Sequence, residues 1–334
     1  MVSLIAAFFV SAAVTAACGL FMIPMLRKLK FGQSILEVGP KWHMNKQGTP
    51  TMGGFLFIVG ISAAVLIAGW GAMAEGNFSH LFILAFAVIY GFIGFIDDYA
   101  KVKKKQNMGL SALQKLLLQL VVAAAFLALL RYFGYMSPDI YIPFIGIKLT
   151  LPWVVYLGAG ILFVAGVVNA VNLTDGVDGL CSGVTLPIAV MFALLGYTWS
   201  AHGVGMSGVG VYGAALAGGL IGFLLYNFHP ARVFMGDTGS LFLGGSLCGL
   251  AFVSNTPLII VIAGLVYLLE MLSVILQVIY FKLTHGKRIF KMTPIHHHFE
   301  MSGWSEVKIF AVFTAVTALL CATAWLGVSA RFPV

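Results

Sequence analysis

Apolar runs long enough to cross a lipid bilayer recur along almost the whole chain, beginning with "LIAAFFVSAAVTAACGLFMIPM". A crossing helix needs roughly 17–25 such residues. Ten stretches qualify: 3–26, 51–70, 80–96, 111–131, 151–170, 180–199, 209–228, 240–255, 257–281 and 306–328. The eighth is short and the turn after it is tight, so a count of nine stays open. Composition agrees with a membrane solvent. Of 334 residues, 60% are hydrophobic and 9% charged, with a mean hydropathy of +1.01, whereas soluble domains carry about 25% charged residues. The expectation is an all-α polytopic membrane protein with ten transmembrane helices, forming one integral membrane domain over residues 1–334. Neither a soluble domain nor a tandem repeat is visible. The N-terminus lacks the basic start of a cleaved signal peptide, and basic residues follow the apolar run instead, so the first span is expected to be retained. Cys18, Cys181, Cys248 and Cys321 stand singly among apolar residues. That is packing, without metal or redox spacing.

Charge fixes the sides. The pI near 9.3 would suggest a nucleic-acid partner in a soluble protein; here lysine and arginine report topology, and no nucleic acid is expected. The loops after spans 1, 3, 5, 7 and 9, with their flanks, hold 16 of the 19 basic residues. The other side holds Arg131, Lys148 and Arg331. The positive-inside rule then places five loops in the cytoplasm and both termini outside. On the outer side, "YMSPDIYIPFIGIKLTLPW" alternates around Gly146 and suits a small extracytoplasmic β-hairpin. The glycine content, 39 residues, includes "GAALAGGLIGF" and "LFLGGSLCGLAF", small-residue patterns that allow close helix packing.

Polar residues gather in the loops assigned to the cytoplasm. "GFIDDYAKVKKK" brings Asp97, Asp98 and Lys101; "NAVNLTDGVDGL" brings Asn172, Asp175 and Asp178. "NFHPARVFMGDTGS" brings Asn227, His229, Arg232, Phe234 and Asp237. "MTPIHHHFEMSGW" brings His296, His297, His298 and Glu300, and "KWHMNKQGTPTMGG" brings His43 and Lys46. Each has an ordinary reading. Asp97 and Asp98 suit a solvated helix end with Lys101 within helical reach. Asp175 and Asp178 suit a turn, and Asp237 suits a helix start. Three contiguous histidines are poor zinc spacing. Together the readings change. Eight of the eleven acidic residues fall on this one side, five of them aspartates at or near helix ends. Such a cluster repels itself, and a hard divalent cation with phosphate oxygens offsets that repulsion. The interspersed lysines and histidines suit a diphosphate bridged by Mg²⁺. Glu270 lies inside span 9 with Gln277 two turns on. An intramembrane carboxylate is either functional or hydrogen-bonded between helices.

"GTPTMGG", "GFIDDYAK", "NAVNLTDGVDGL", "FMGDTGS" and "MTPIHHHFE" resemble the signature blocks of the phospho-N-acetylmuramoyl-pentapeptide transferases. The aspartate blocks are shared with the wider polyprenyl-phosphate N-acetylhexosamine-1-phosphate transferases. The resemblance implies transfer from UDP-N-acetylmuramoyl-pentapeptide to undecaprenyl phosphate, giving lipid I and UMP, with Mg²⁺ as cofactor. It further implies a homodimer in the bacterial cytoplasmic membrane, active on the cytoplasmic face. By motif, Asp237 is the expected Mg²⁺ ligand, with Asn172 beside it. Asp97 is the expected base, and Asp98 supports the metal or phosphate. Lys46, Lys101, Asn172, Asp175, Asp178, Phe234, His296, His297 and His298 are expected to bind substrate, Phe234 by stacking on uracil. Two rivals remain: a UDP-N-acetylglucosamine-using transferase, and a secondary transporter. Transporters place their sites near the bilayer midplane, where only Glu270 lies.

Overall fold

The computed structural model describes residues 1–28, 46, 48–104, 109–329 and 331. His43 lies outside the described residues. Thirteen helices and two short strands follow one another along the described chain. They are α1 (Val2–Lys28), α2 (Gly54–Ala68), α3 (Trp70–Ala74), α4 (Ser79–Lys104), α5 (Ala112–Tyr132), β1 (Asp139–Tyr141), β2 (Lys148–Thr150) and α6 (Trp153–Thr174). After these come α7 (Leu180–Ala201), α8 (Ser207–Asn227), α9 (Gly236–Val253), α10 (Ile259–Ala263), α11 (Leu265–Leu283), α12 (Ile295–Glu300) and α13 (Glu306–Ser329). Helices dominate because an intramembrane backbone must satisfy its hydrogen bonds within its own segment.

Among the described residues, eight helices are long and apolar enough to cross a membrane: α1, α4, α5, α6, α7, α8, α11 and α13. The chain is therefore a multi-pass membrane protein. Two of the ten expected spans are broken by glycine. The run 51–70 becomes α2 and the short α3, parted at Gly69, and the run 257–281 becomes α10 and α11, parted at Gly264. Hydropathy does not register such breaks, since glycine costs a helix only about 1 kcal/mol against alanine. β1 and β2 pair antiparallel, Ile140 opposite Leu149.

α8 and α9 form the interior, buried along nearly their whole lengths. α1 and α2 pack on α8, as does α7; α4 and α6 pack on α9; α13 lies against α7. The exposed large apolar residues lie on the outer faces, among them Phe9 and Phe21 of α1, Leu113 and Val121 of α5, and Leu276 and Ile279 of α11. Lipid is as apolar as leucine, so close contact of small residues, rather than water exclusion, holds such helices together. Gly94 shows the effect. It lies so close to the start of α9 that a Cβ there would overlap the Asp237 carbonyl. That approach brings the aspartates at the end of α4 against Asp237.

Candidate active site

The last turns of α4 and the first turn of α9 meet at one end of the bundle. Asp98 is buried, and its carboxylate accepts from the backbone N–H of Asp237 at 3.2 Å, that of Thr238 at 2.9 Å and the Thr238 hydroxyl at 2.7 Å. These are N–H groups that a helix start leaves without intrahelical partners, so Asp98 fastens α9 to α4. Asp97 Oδ1 accepts from Leu110 N at 2.7 Å, which brings in the entry to α5. The α5 start is fixed by a reciprocal capping box of Ser111 and Gln114.

Two lysines bridge the carboxylates. Lys101 Nζ lies 2.6 Å from Asp237 Oδ2 and 2.7 Å from Asp97 Oδ2. Lys115, one turn into α5, lies 3.0 Å from the same Asp237 oxygen and 3.7 Å from Asp97. Asn172, near the end of α6, donates from its amide nitrogen to Asp237 Oδ1 and to Ser240 Oγ, each at 2.7 Å. In this arrangement the Asn172 amide orients Asp237 and Ser240. Asp175 follows α6. Burial, then the charges of Asp237, Asp98 and Asp178, push its carboxyl up to about 8.

A divalent cation fits this centre. The carboxylates of Asp97, Asp98 and Asp237 gather around the Lys101 ammonium, and those of Asp97 and Asp237 around Lys115. The donors are all hard oxygens, the set that Mg²⁺-like ions take. Asp237, on which both lysines and Asn172 converge, is the carboxylate that would hold the ion.

A second cluster borders a cleft of about 580 Å³ lined by Lys46, Asp178, His229, Trp304 and Glu306, among others. Lys46 Nζ pairs with Asp178 at 2.7 Å and with Glu306 at 2.6 Å. Asp178 Oδ2 also accepts from Ala231 N at 3.0 Å and lies 2.9 Å from His229 Nδ1. Asp178, His229 and Glu306 offer ligand atoms within 4.8 Å of one another, a group that could hold a metal ion.

The three histidines part company. His296 is fully buried, its Nδ1 3.0 Å from Glu270 Oε2. His297 Nδ1 lies 2.6 Å from Glu300. His298 accepts from Lys291 N at 3.1 Å and sets its ring against Phe290. Phe234 is partly exposed, its backbone bonded to Pro50 and Gly53.

Comparison with known proteins agrees with this architecture. Residues 80–255 match the Glycosyl transferase family 4. A Clostridium botulinum protein named phospho-N-acetylmuramoyl-pentapeptide-transferase is 46% identical over 321 residues, 96% of this chain and 94% of the relative. The chain belongs to the phospho-N-acetylmuramoyl-pentapeptide-transferase family. Relatives of that name from Clostridium acetobutylicum, 47% identical over 92% of this chain and 94% of theirs, and Desulforudis audaxviator, 42% identical over 98% of each, extend the likeness. Within this phospho-N-acetylmuramoyl-pentapeptide-transferase family member, two site residues carry no motif signal in the sequence. Lys115 looks like a stray charge at the start of an apolar span. Its one clue is that a cation sits there at the unfavourable end of the helix dipole. Glu306 sits at the favourable end of α13 and reads as an ordinary helix start.

Proposed function

We propose that this chain transfers phospho-N-acetylmuramoyl-pentapeptide from UDP-N-acetylmuramoyl-pentapeptide to undecaprenyl phosphate, giving lipid I and UMP, with Mg²⁺. One observation carries the reading. In a membrane chain similar over nearly its whole length to transferases of that name, two lysines and the carboxylates of Asp97 and Asp237 converge from α4, α5 and α9. α2 and α9 complete ten crossings in one membrane domain, with both termini outside. The site opens to the cytoplasm, and the β1–β2 pair lies on the opposite face. The basic-residue asymmetry supports this orientation. The functional unit is a homodimer.

The lipid phosphate oxygen attacks the donor's β-phosphorus. The bond from that phosphorus to the bridging oxygen breaks, and UMP leaves with it. Mg²⁺, held by Asp237, would supply positive charge that offsets the charge of a diphosphate. Asp237 is set for metal binding by the α9 start, which Asp98 fixes, and by the Asn172 amide. Lys101 and Lys115 hold the phosphate oxygens. Little is asked of Asp97 as a base, because a phosphate monoester has a second pKa near 6 and reaches the site largely ionised. Asp97 keeps Lys101 and Lys115 in place. In the neighbouring cleft, Lys46 and Asp178 receive the nucleotide; Phe234 stacks on its uracil, and His297 and His298 serve the sugar-peptide part.

UMP release in detergent, measured with and without undecaprenyl phosphate, tests the reading. Release that needs both lipid and UDP-N-acetylmuramoyl-pentapeptide is expected. Equal turnover of UDP-N-acetylglucosamine would assign the chain to the other branch, and solute flux in proteoliposomes without UMP release would make it a transporter.

A further inference from the structure

α11 is two-faced. Leu269, Leu272, Ile275, Leu276 and Ile279 are exposed on its outer side, while Glu270, Ser273 and Gln277 are buried on its inner side. The two long polar residues, two turns apart, both accept from the chain that follows. Gln277 Oε1 takes the backbone N–H groups of Ile289 and Phe290, each at 3.0 Å. Glu270 Oε2 takes the His296 backbone N–H at 3.4 Å and lies 3.0 Å from its Nδ1. The inner face of α11 therefore grips the connection to α12 at one point and α12 itself at another.

The His296 ring passes this grip to the centre. Glu270 and His296 are both wholly buried. Among the described residues, the far nitrogen of the imidazole, Nε2, has no hydrogen-bond partner, nor has Glu270 Oε1. Nε2 lies against Gly176, so close that a Cβ there would overlap it. Gly176 stands between Asp175 and Asp178 in the turn joining α6 to α7. The His297 ring centroid is 4.2 Å from that of His296. The imidazole is thus a spacer between the α11 carboxylate, the Asp175–Asp178 turn and His297. A leucine at 270 would fill the space without the cost of burying a carboxylate, but it would leave the ring free to turn.

We infer that Glu270 is a positioning residue for the transfer reaction: through His296 it sets the Asp175–Asp178 turn and the seat of His297 against the donor. The inference rests on the proposed transferase reading. It gives Glu270 no contact with substrate, so the loss of its acceptor should appear in turnover rather than in donor binding.

The test uses the full-length protein in detergent. Glu270→Leu is expected to lower kcat about 30-fold or more, with the donor KM changed less than about 3-fold. Glu270→Gln keeps an oxygen acceptor for the His296 N–H groups and recovers most of that kcat. Gly176→Ala presses on the same ring from the opposite side and lowers kcat similarly. In the double variant the two losses overlap and do not multiply, as expected of residues acting through one neighbour. Histidine-selective ¹⁵N spectra read the geometry without turnover. The His296 Nδ1–H signal, present in the wild type and Glu270→Gln, should vanish in Glu270→Leu and shift in Gly176→Ala. The inference fails if Glu270→Leu keeps wild-type kcat, if only KM rises, if the two losses multiply, or if the His296 signal is unaffected. Wild-type turnover in the same assay judges the transferase reading separately. An inactive wild type with the expected spectra would overturn that reading and leave the His296 linkage standing.

Discussion

Asp237 is the side chain on which most of the centre converges, with two lysines, an amide and the α9 start all acting on it. Asp237→Asn removes the negative charge that this side chain offers a cation while changing little in shape. Turnover should fall by about 10²-fold or more, the scale seen when one preorganised electrostatic group is lost. The protein should still elute as folded material, and near wild-type turnover at limiting Mg²⁺ would remove Asp237 from the metal site. Asp175 permits a prediction of opposite sign for stability. Its carboxyl is raised to about 8 in the folded chain, against about 3.9 for a free aspartate. The folded state therefore holds this proton more tightly than the unfolded state, and folding weakens as pH rises between those two values. Asp175→Asn removes the penalty. It should melt several degrees above the wild type near pH 8, with the gap closing toward pH 5, and it should also lose transfer activity. Thermal unfolding across that range decides, and a gap independent of pH would show that the carboxyl is not strained by its neighbours.

At the scale of elements, the joint of α4 and α9 decides whether these side chains meet. Asp98 accepts three donors at the start of α9. Asp98→Ala leaves buried donors without partners, at about 1–3 kcal/mol each, so a clear fall in melting temperature accompanies the loss of turnover. Asp98→Asn keeps one oxygen acceptor and should melt between the two. If Asp98→Ala melted like the wild type, the fastening role would be wrong. The sequence placed both aspartates at a helix end, but it could not divide their work. Neighbours on a helix point about 100° apart; Asp97 turns toward Lys101 and α5, while Asp98 turns into the α9 start. The histidine triplet shows the same limit. Three adjacent letters read as one motif, yet the α12 helix buries His296 against Glu270 and leaves its two neighbours partly exposed.

For the whole molecule, the transfer reading makes a kinetic prediction. Asp97 has one oxygen bonded to Leu110 N and the other to Lys101, a poor posture for a covalent nucleophile. Labelled UMP should therefore not enter UDP-N-acetylmuramoyl-pentapeptide when undecaprenyl phosphate is rigorously removed. Rapid exchange abolished by Asp97→Asn would show a phosphoryl-enzyme and give Asp97 a different role. The sequence by itself determined the solvent and most of the parts. Runs of some twenty apolar residues can only be helices in lipid, and their flanking lysines and arginines set the expectation of sides. The motif blocks named the family and nearly all the residues that meet. Only the tertiary structure decided which of them touch. Hydropathy and spacing describe one segment at a time, whereas the Lys115–Asp237, Lys46–Glu306 and Glu270–His296 contacts span 122, 260 and 26 residues. Such contacts exist because close packing of α4, α5 and α9, and the docking of α12 on α11, bring side chains to a common depth, a distance that no local pattern encodes.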